Sequence, residues 1–241
     1  DADPVVQQAV NRVVPADQLR KVMADLRDAD FKSVNVDLIC GLPLQTPDRF
    51  AKTIALVQEL RPDRISLFSF AYLPEQLPMQ KKIRALDLPS PQQRIAMLEQ
   101  AHDDLIASGY CAIGMDHYAL VDDPLALAAS EGSLHRNFQG YTTGGAMDLL
   151  GVGPTAISQF PHLLCQNQRD FKSWRAAIHA GSLSVERGIE VFDQDTLERR
   201  DLIRQLMCQF VVAFDRSRFS CEWIDFKALA ADGLVTLSQQ S

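Results

Sequence analysis

The stretch "SVNVDLICGLPLQTPDRFAKTIALVQEL", Ser33 to Leu60, followed by "RISLFSFAYLP" from Arg64 to Pro74, decides the fold. Its opening "SVNVDLI" is a short run rich in β-branched and apolar residues, closed by the turn "CGLP", and reads as a strand. Thr46 then supplies a capping oxygen, Pro47 takes the first helical position, and Phe50, Ile54 and Val57 share one helical face. The run after Arg64 is a second strand. A strand, a helix and a strand in this order imply parallel strands joined by a helical crossover.

The same rhythm extends in both directions. Upstream, Pro15 to Ala29 places Leu19, Val22, Met23 and Leu26 on one face of a helix. Downstream, Ser90 and Pro91 repeat the helix start and Gly109 marks its end. "YCAIGMDHYAL", Tyr110 to Leu120, follows as a third strand. The fold class is therefore α/β, either a β/α barrel or an open doubly wound sheet, with too few strands to close a barrel. After Leu120 loops dominate up to "LLGVGPTAIS"; a helix with Phe171, Trp174 and Ile178 on one face spans Arg169 to His179. From Asp193 the chain reads as helical until the short strand-like "GLVTL". A domain change is placed near Ile189, giving residues 1–188 to the barrel and its loops and 189–241 to a small helical domain.

The 241 residues carry a formal net charge of −7 with no Lys/Arg stripe, which argues against nucleic acid as a partner. Any anionic ligand must therefore be met by local arginines or backbone donors. Five scattered cysteines, Cys40, Cys111, Cys165, Cys208 and Cys221, contain no C-x-x-C pair and suit a reduced, cytoplasmic protein. No apolar run is long enough for a bilayer span, so no membrane role is expected. The opening "DADPVVQQAVNR" lacks a starting Met and reads like the middle of a longer chain.

In β/α barrels the carboxyl ends of strands build the site, which draws attention to Asp37, to Ser69–Tyr72 and to Asp116-His117. Asp37 shares strand parity with Asn35, so two polar side chains point one way; a turn-capping carboxylate explains Asp37 equally well. Asp116-His117 has no partner histidine at ligand spacing, so a hydrogen-bonded structural pair is expected and no metal is assigned within the chain. His102 reads as a partly buried packing residue, and Cys40 and Cys208 as small hydrophobes. "GVG" at Gly151 to Gly153 is too short for a phosphate loop and is read as permitting close approach to a flat ligand such as adenine.

"NVDLICGLP", "GMDHYA", "LHRNFQGYTT" and "DLLGVGPTAIS", with "DPVVQQAVNR", "LPSPQQR" and "ERRDLI", occur in one order over nearly the whole chain. Together they resemble the oxygen-independent coproporphyrinogen III dehydrogenases (oxidases), radical S-adenosylmethionine (SAM) enzymes of haem synthesis. The resemblance implies a partial (β/α) barrel of the radical SAM type, followed by a small mainly helical C-terminal domain. It also implies a [4Fe–4S] cluster on a C-x-x-x-C-x-x-C loop and two SAM molecules per site. A 5′-deoxyadenosyl radical would start decarboxylation of two propionates, converting coproporphyrinogen III to protoporphyrinogen IX. An electron donor and an electron acceptor are implied as partners, and a monomer is expected.

The cluster motif is absent from these residues, so the resemblance implies cysteines upstream, a chain inactive alone, and an incomplete C-terminal domain. Carried over by motif, Arg12 and Asp37 match SAM contacts, Ala71 and Ile157 match positions lining SAM, and Phe138 and Gln139 match residues near the second SAM. Arg136 is assigned to anionic groups of the substrate, and no catalytic residue is assigned. Two rival readings are a haem-binding chaperone of the same superfamily and a cluster-free ligand-binding half-barrel. The chaperones carry H-N-x-x-Y-W in the corresponding loop; "HRNFQGYTT" has no Trp, which favours the dehydrogenase.

Overall fold

The computed structural model describes residues 1–145, 148–213 and 215–238. They divide into two units, one of residues 1–135 with 141–145 and one of residues 136–140 with 148–213 and 215–238. Eight α-helices are found among the described residues.

The first unit opens with α1 (Pro4–Ala9), capped by the Asp3 side chain, and α2 (Ala16–Asp28). Next come β1 (Asn35–Cys40), α3 (Pro47–Leu60) and β2 (Arg64–Ser69). As the sequence implies, Thr46 caps α3 by accepting from the Arg49 amide, and β1 and β2 pair in parallel, with Asp37 opposite Ser66 and Ile39 opposite Phe68. α4 (Pro91–Ala107) begins with a full capping box in which Ser90 and Gln93 exchange hydrogen bonds.

The expected third strand is a hairpin, β3 (Tyr110–Gly114) and β4 (His117–Leu120). Met115 takes a left-handed φ of 43° and the chain doubles back at Asp116. The sheet order is β1-β2-β4-β3, with β4 antiparallel to both neighbours. β3 therefore runs in the direction of β1 and β2, and β4 is inserted between the strands that a pure crossover rhythm would have made adjacent. Leu38, Cys40, Ile65 and Leu67 of the sheet pack against Phe50, Ile54 and Val57 of α3 and Met97, Ala101 and Leu105 of α4. α5 (Pro124–Ser130), capped by Asp123, lies in the stretch after Leu120 where the sequence pattern implies loops. Next in the chain come two short strands, β5 (His135–Asn137) and β6 (Gly140–Thr142), whose residues are divided between the two units.

The second unit contains an antiparallel sheet of β7 (Ile157–Gln159), β8 (Leu163–Asn167) and β9 (Val185–Glu190), in that order, with α6 (Phe171–His179) between β8 and β9 in the chain. α6 begins where expected, capped by Asp170, but Phe171 and Ile178 stay exposed and Phe171 stacks on Trp174. α7 (Gln194–Gln209) and α8 (Ser220–Ala231) follow, linked by the Arg199–Glu222 ion pair and by the Arg199 guanidinium lying over the Phe219 ring. "GLVTL" forms no strand. Ile189, the expected point of domain change, lies within β9 opposite Leu164 of β8. The division at 188/189 is retained as a proposal about folding domains.

Candidate functional site

Alternation along β1 separates its two faces. Leu38 and Cys40 enter the core, whereas Asn35, Asp37 and Ile39 stand on the opposite face and are exposed. There the Asn35 side-chain amide donates to Asp37 Oδ1 at 2.7 Å, and the Ser66 hydroxyl donates to Asn35 Oδ1 at 3.3 Å. The Asp37 carboxylate is thus oriented from one side and exposed, and among the described residues no backbone amide donates to it. His117 meets the edges of Phe68 and Tyr141, at ring distances of 6.0 and 5.3 Å, so it is packed among aromatics. Among the described residues no cluster of His, Cys, Asp and Glu could hold a metal ion.

The loop after β1 is fixed by Gln45, a buried polar side chain. Its carbonyl oxygen accepts from the amides of Gly41 and Leu42, and its amide donates to the Ile39 carbonyl. The segment after β2 is held likewise by Gln80, which donates to the Ala71 carbonyl at 3.0 Å and accepts from the Leu73 amide. Ala71 itself is exposed and presents only a methyl group. Arg12 lies exposed after α1, its amide donating to the Gln7 carbonyl at 2.9 Å. Among the described residues no hydrogen bond or ion pair joins Arg12 to Asp37.

Arg136, Phe138, Gln139 and Ile157 belong to the second unit. Arg136 and Phe138 line a cavity of about 370 Å³ whose other walls are Gln159 and Leu164 of the sheet and one face of α7. That face presents Arg200, Ile203, Arg204 and Met207, spaced i, i+3, i+4, i+7. The Asn137 side chain accepts from the Gln139 amide at 2.8 Å and shapes the turn; Gln139 is exposed beside the cavity lining rather than in it. The spacing in "RRDLIRQLM" shows that Arg200, Arg204 and Met207 share a helical face, but nothing in it says that Arg136 and Phe138 stand opposite.

The "GVG" segment is held by the chain itself. A Cβ on Gly151 would come within 2.6 Å of the Ile157 carbonyl oxygen, so the close approach is to a neighbouring strand. The Gly151 amide donates to the Ser158 hydroxyl, and the Asn167 amide donates to the carbonyls of Gly151 and Gly153. At Gly153 a Cβ would meet nothing within 4 Å. Ile157, half-buried on β7, is thereby fixed through its backbone. His102 is exposed rather than partly buried; its Nδ1 lies 3.1 Å from the Tyr118 hydroxyl.

All five cysteines are free. Burial pushes the Cys40 thiol up to about 11, against an opposing effect of Arg94, and raises Cys208 despite Arg204 and Arg136. Both are protonated at neutral pH and behave as small hydrophobes. Their scatter does not fit the three-thiolate set a [4Fe–4S] cluster needs, so the described residues do not hold that cluster.

No protein-family model matches the chain. It is 45% identical over 98% of its length to an oxygen-independent coproporphyrinogen III oxidase of Pseudomonas aeruginosa, and 41% identical over its whole length to that of Escherichia coli, covering 54% of each. The oxidase of Thermostichus vulcanus is 42% identical over 99% of the chain, which spans 77% of that protein. The solved coproporphyrinogen III oxidase of Escherichia coli, described as a radical SAM enzyme, matches the whole chain with a TM-score of 0.90 at 42% identity, over 57% of its own length. The fold is that of a radical SAM enzyme, a partial (β/α) barrel with an appended, mainly helical part. The chain belongs to the oxygen-independent coproporphyrinogen III oxidase family. It spans about half the length of the first two relatives. No helix among the described residues is long and apolar enough to cross a membrane.

Proposed function

We propose that the chain serves the oxygen-independent oxidative decarboxylation of coproporphyrinogen III to protoporphyrinogen IX. The observation that carries this reading is the 45% identity maintained over 98% of the chain with an enzyme of that name. Bound SAM would supply the carbon-centred radical that removes hydrogen from a propionate. Cysteines outside these residues would hold the [4Fe–4S] cluster, and an external electron donor and acceptor would complete the reaction. The protein is proposed to be a cytoplasmic monomer.

The chain's own residues support SAM binding in specific ways. Asp37 offers an oriented carboxylate that can accept from an ammonium or a ribose hydroxyl, and Arg12 offers a guanidinium fork for a carboxylate. The methyl of Ala71 and the side chain of Ile157 allow close packing of adenine or ribose. Phe138 and Gln139 are proposed beside a second SAM, and Arg136 at a substrate carboxylate.

Anaerobic reconstitution of the full-length protein with iron and sulfide, then SAM-dependent carbon dioxide release from coproporphyrinogen III, tests the proposal. Absence of that release from a protein with an intact cluster sinks it.

A further inference from the structure

The cavity of the second unit has an unusual charge for a protein of net charge −7. Three guanidinium groups, Arg136, Arg200 and Arg204, reach it from two separate segments, over an apolar floor of Ile203, Leu164 and Met207. Asp201 pairs with Arg204 at 2.7 Å and offsets one of these charges. Among the described residues Arg200 forms no ion pair. The cavity thus brings three arginines together beside an apolar surface, which suits a ligand that joins carboxylates to a flat hydrocarbon body.

We propose that Arg136, Arg200 and Arg204 form a carboxylate-anchoring subsite that holds a propionate-bearing edge of a tetrapyrrole. This rests on the proposed function and deepens it, because coproporphyrinogen III carries four propionates and only two of them react. The two that persist need anchors away from the reacting centre, and a helical face with two arginines one turn apart can engage one carboxylate by a fork or two by single bonds. SAM also has a carboxylate, and Phe138 lines this cavity. However, SAM's sulfonium and ammonium make it a net cation, which three arginines disfavour. The arginine side of the cavity therefore suits the tetrapyrrole better than SAM.

The test is a fluorescence titration of the full chain with coproporphyrin III, the stable oxidised tetracarboxylate. Parallel arms use its tetramethyl ester and SAM. Arg200→Gln is the main variant because Arg200 is exposed and its loss leaves no ion-pair partner behind. Arg200→Lys and Arg204→Gln accompany it, with Arg175→Gln on α6 as a control. Losing a charge-assisted hydrogen bond should weaken coproporphyrin III binding about tenfold in Arg200→Gln, with partial rescue in Arg200→Lys. The ester should bind wild type and Arg200→Gln alike, and SAM affinity should stay unchanged.

The proposal is overturned if Arg200→Gln and Arg204→Gln both bind coproporphyrin III like wild type. It is also overturned if wild type does not bind that compound, or if the variants lose SAM instead. Failure of the functional reading looks different: carbon dioxide release would be absent while arginine-dependent coproporphyrin binding persists.

Discussion

Asn35 donates its side-chain amide to Asp37 Oδ1 at 2.7 Å, across the two-residue repeat of one exposed strand face. The pair converts an otherwise mobile surface carboxylate into one with a set direction, because Asn35 is itself held by the Ser66 hydroxyl. Asn35→Ala should lower SAM affinity by roughly three- to tenfold, the scale of one ordinary lost hydrogen bond at an exposed site. Asn35→Asp should lower it further, since a second carboxylate beside Asp37 repels it and favours protonation of one of the two. Calorimetric titration with SAM measures both, and unchanged circular dichroism separates them from unfolding. Equal SAM affinity in all three proteins removes Asn35 as the residue that positions Asp37 for SAM.

Asp123 joins three parts of the first unit. Its carboxylate, 3% exposed, receives Arg64 Nε at 2.9 Å, the Leu125 amide at 2.7 Å and the Ser33 hydroxyl at 3.3 Å. Asp123→Ala should cost about 3 kcal/mol, because it removes the cap of α5 and leaves the Arg64 guanidinium without its carboxylate in a poorly solvated place. Asp123→Asn should cost roughly half as much, since Asn caps helices well but lacks the charge. Urea denaturation at neutral pH ranks the two.

The sequence signals that succeeded are local ones. Thr46-Pro47 and Ser90-Pro91 mark helix starts because the cap and the first-turn proline act within four residues, and tertiary context does not alter them. The β3–β4 hairpin is not legible in the sequence, because Met115, a residue with no preference for positive φ, takes the left-handed turn position directly after Gly114. The β7–β9 sheet was equally silent: its strands mix Gln, Asn, Arg and Glu with apolar residues and none is deeply buried throughout. For the site, the parity of Asn35 and Asp37 was legible from the two-residue period alone. Juxtaposition of Arg200 and Arg204 with Arg136 was not, because about sixty residues of chain and a sheet separate the two segments.

Gly151 should not tolerate a side chain. A Cβ would lie 2.6–2.9 Å from the oxygen, carbonyl carbon and nitrogen of Ile157, all backbone atoms that cannot rotate away. Gly151→Ala is expected to destabilise the second unit by about 2 kcal/mol, in the range of overpacking strain. Asn167→Ala, which deprives the Gly151 and Gly153 carbonyls of a shared donor, should cost about 1–2 kcal/mol. Limited proteolysis should show faster cleavage around Gly153 in both variants. Because Ile157 forms the far wall of this contact, SAM affinity should fall in Gly151→Ala as well.

Cys40 and Tyr110 make the first unit sensitive to alkali. Burial pushes the Cys40 thiol up to about 11, partly offset by Arg94, and pushes the Tyr110 hydroxyl up to about 12, partly offset by Arg61 and Arg27. Tyr110 also donates to the Pro62 carbonyl at 2.6 Å, a bond that its anion cannot make. Both groups are neutral when protonated, and their ordinary values are 9.0 and 10.0. The unfolded chain therefore releases these protons first, and each further unit of pH favours unfolding. Stability should be full below pH 9 and should fall as pH rises through 11 and 12. Urea midpoints recorded from pH 8 to 11 should show this decline, and Cys40→Ala, less stable throughout from lost packing, should show a shallower one. At pH 8 thiol labelling of the native chain should take the exposed Cys221 first and leave Cys40 unmodified; rapid labelling of Cys40 would contradict its burial.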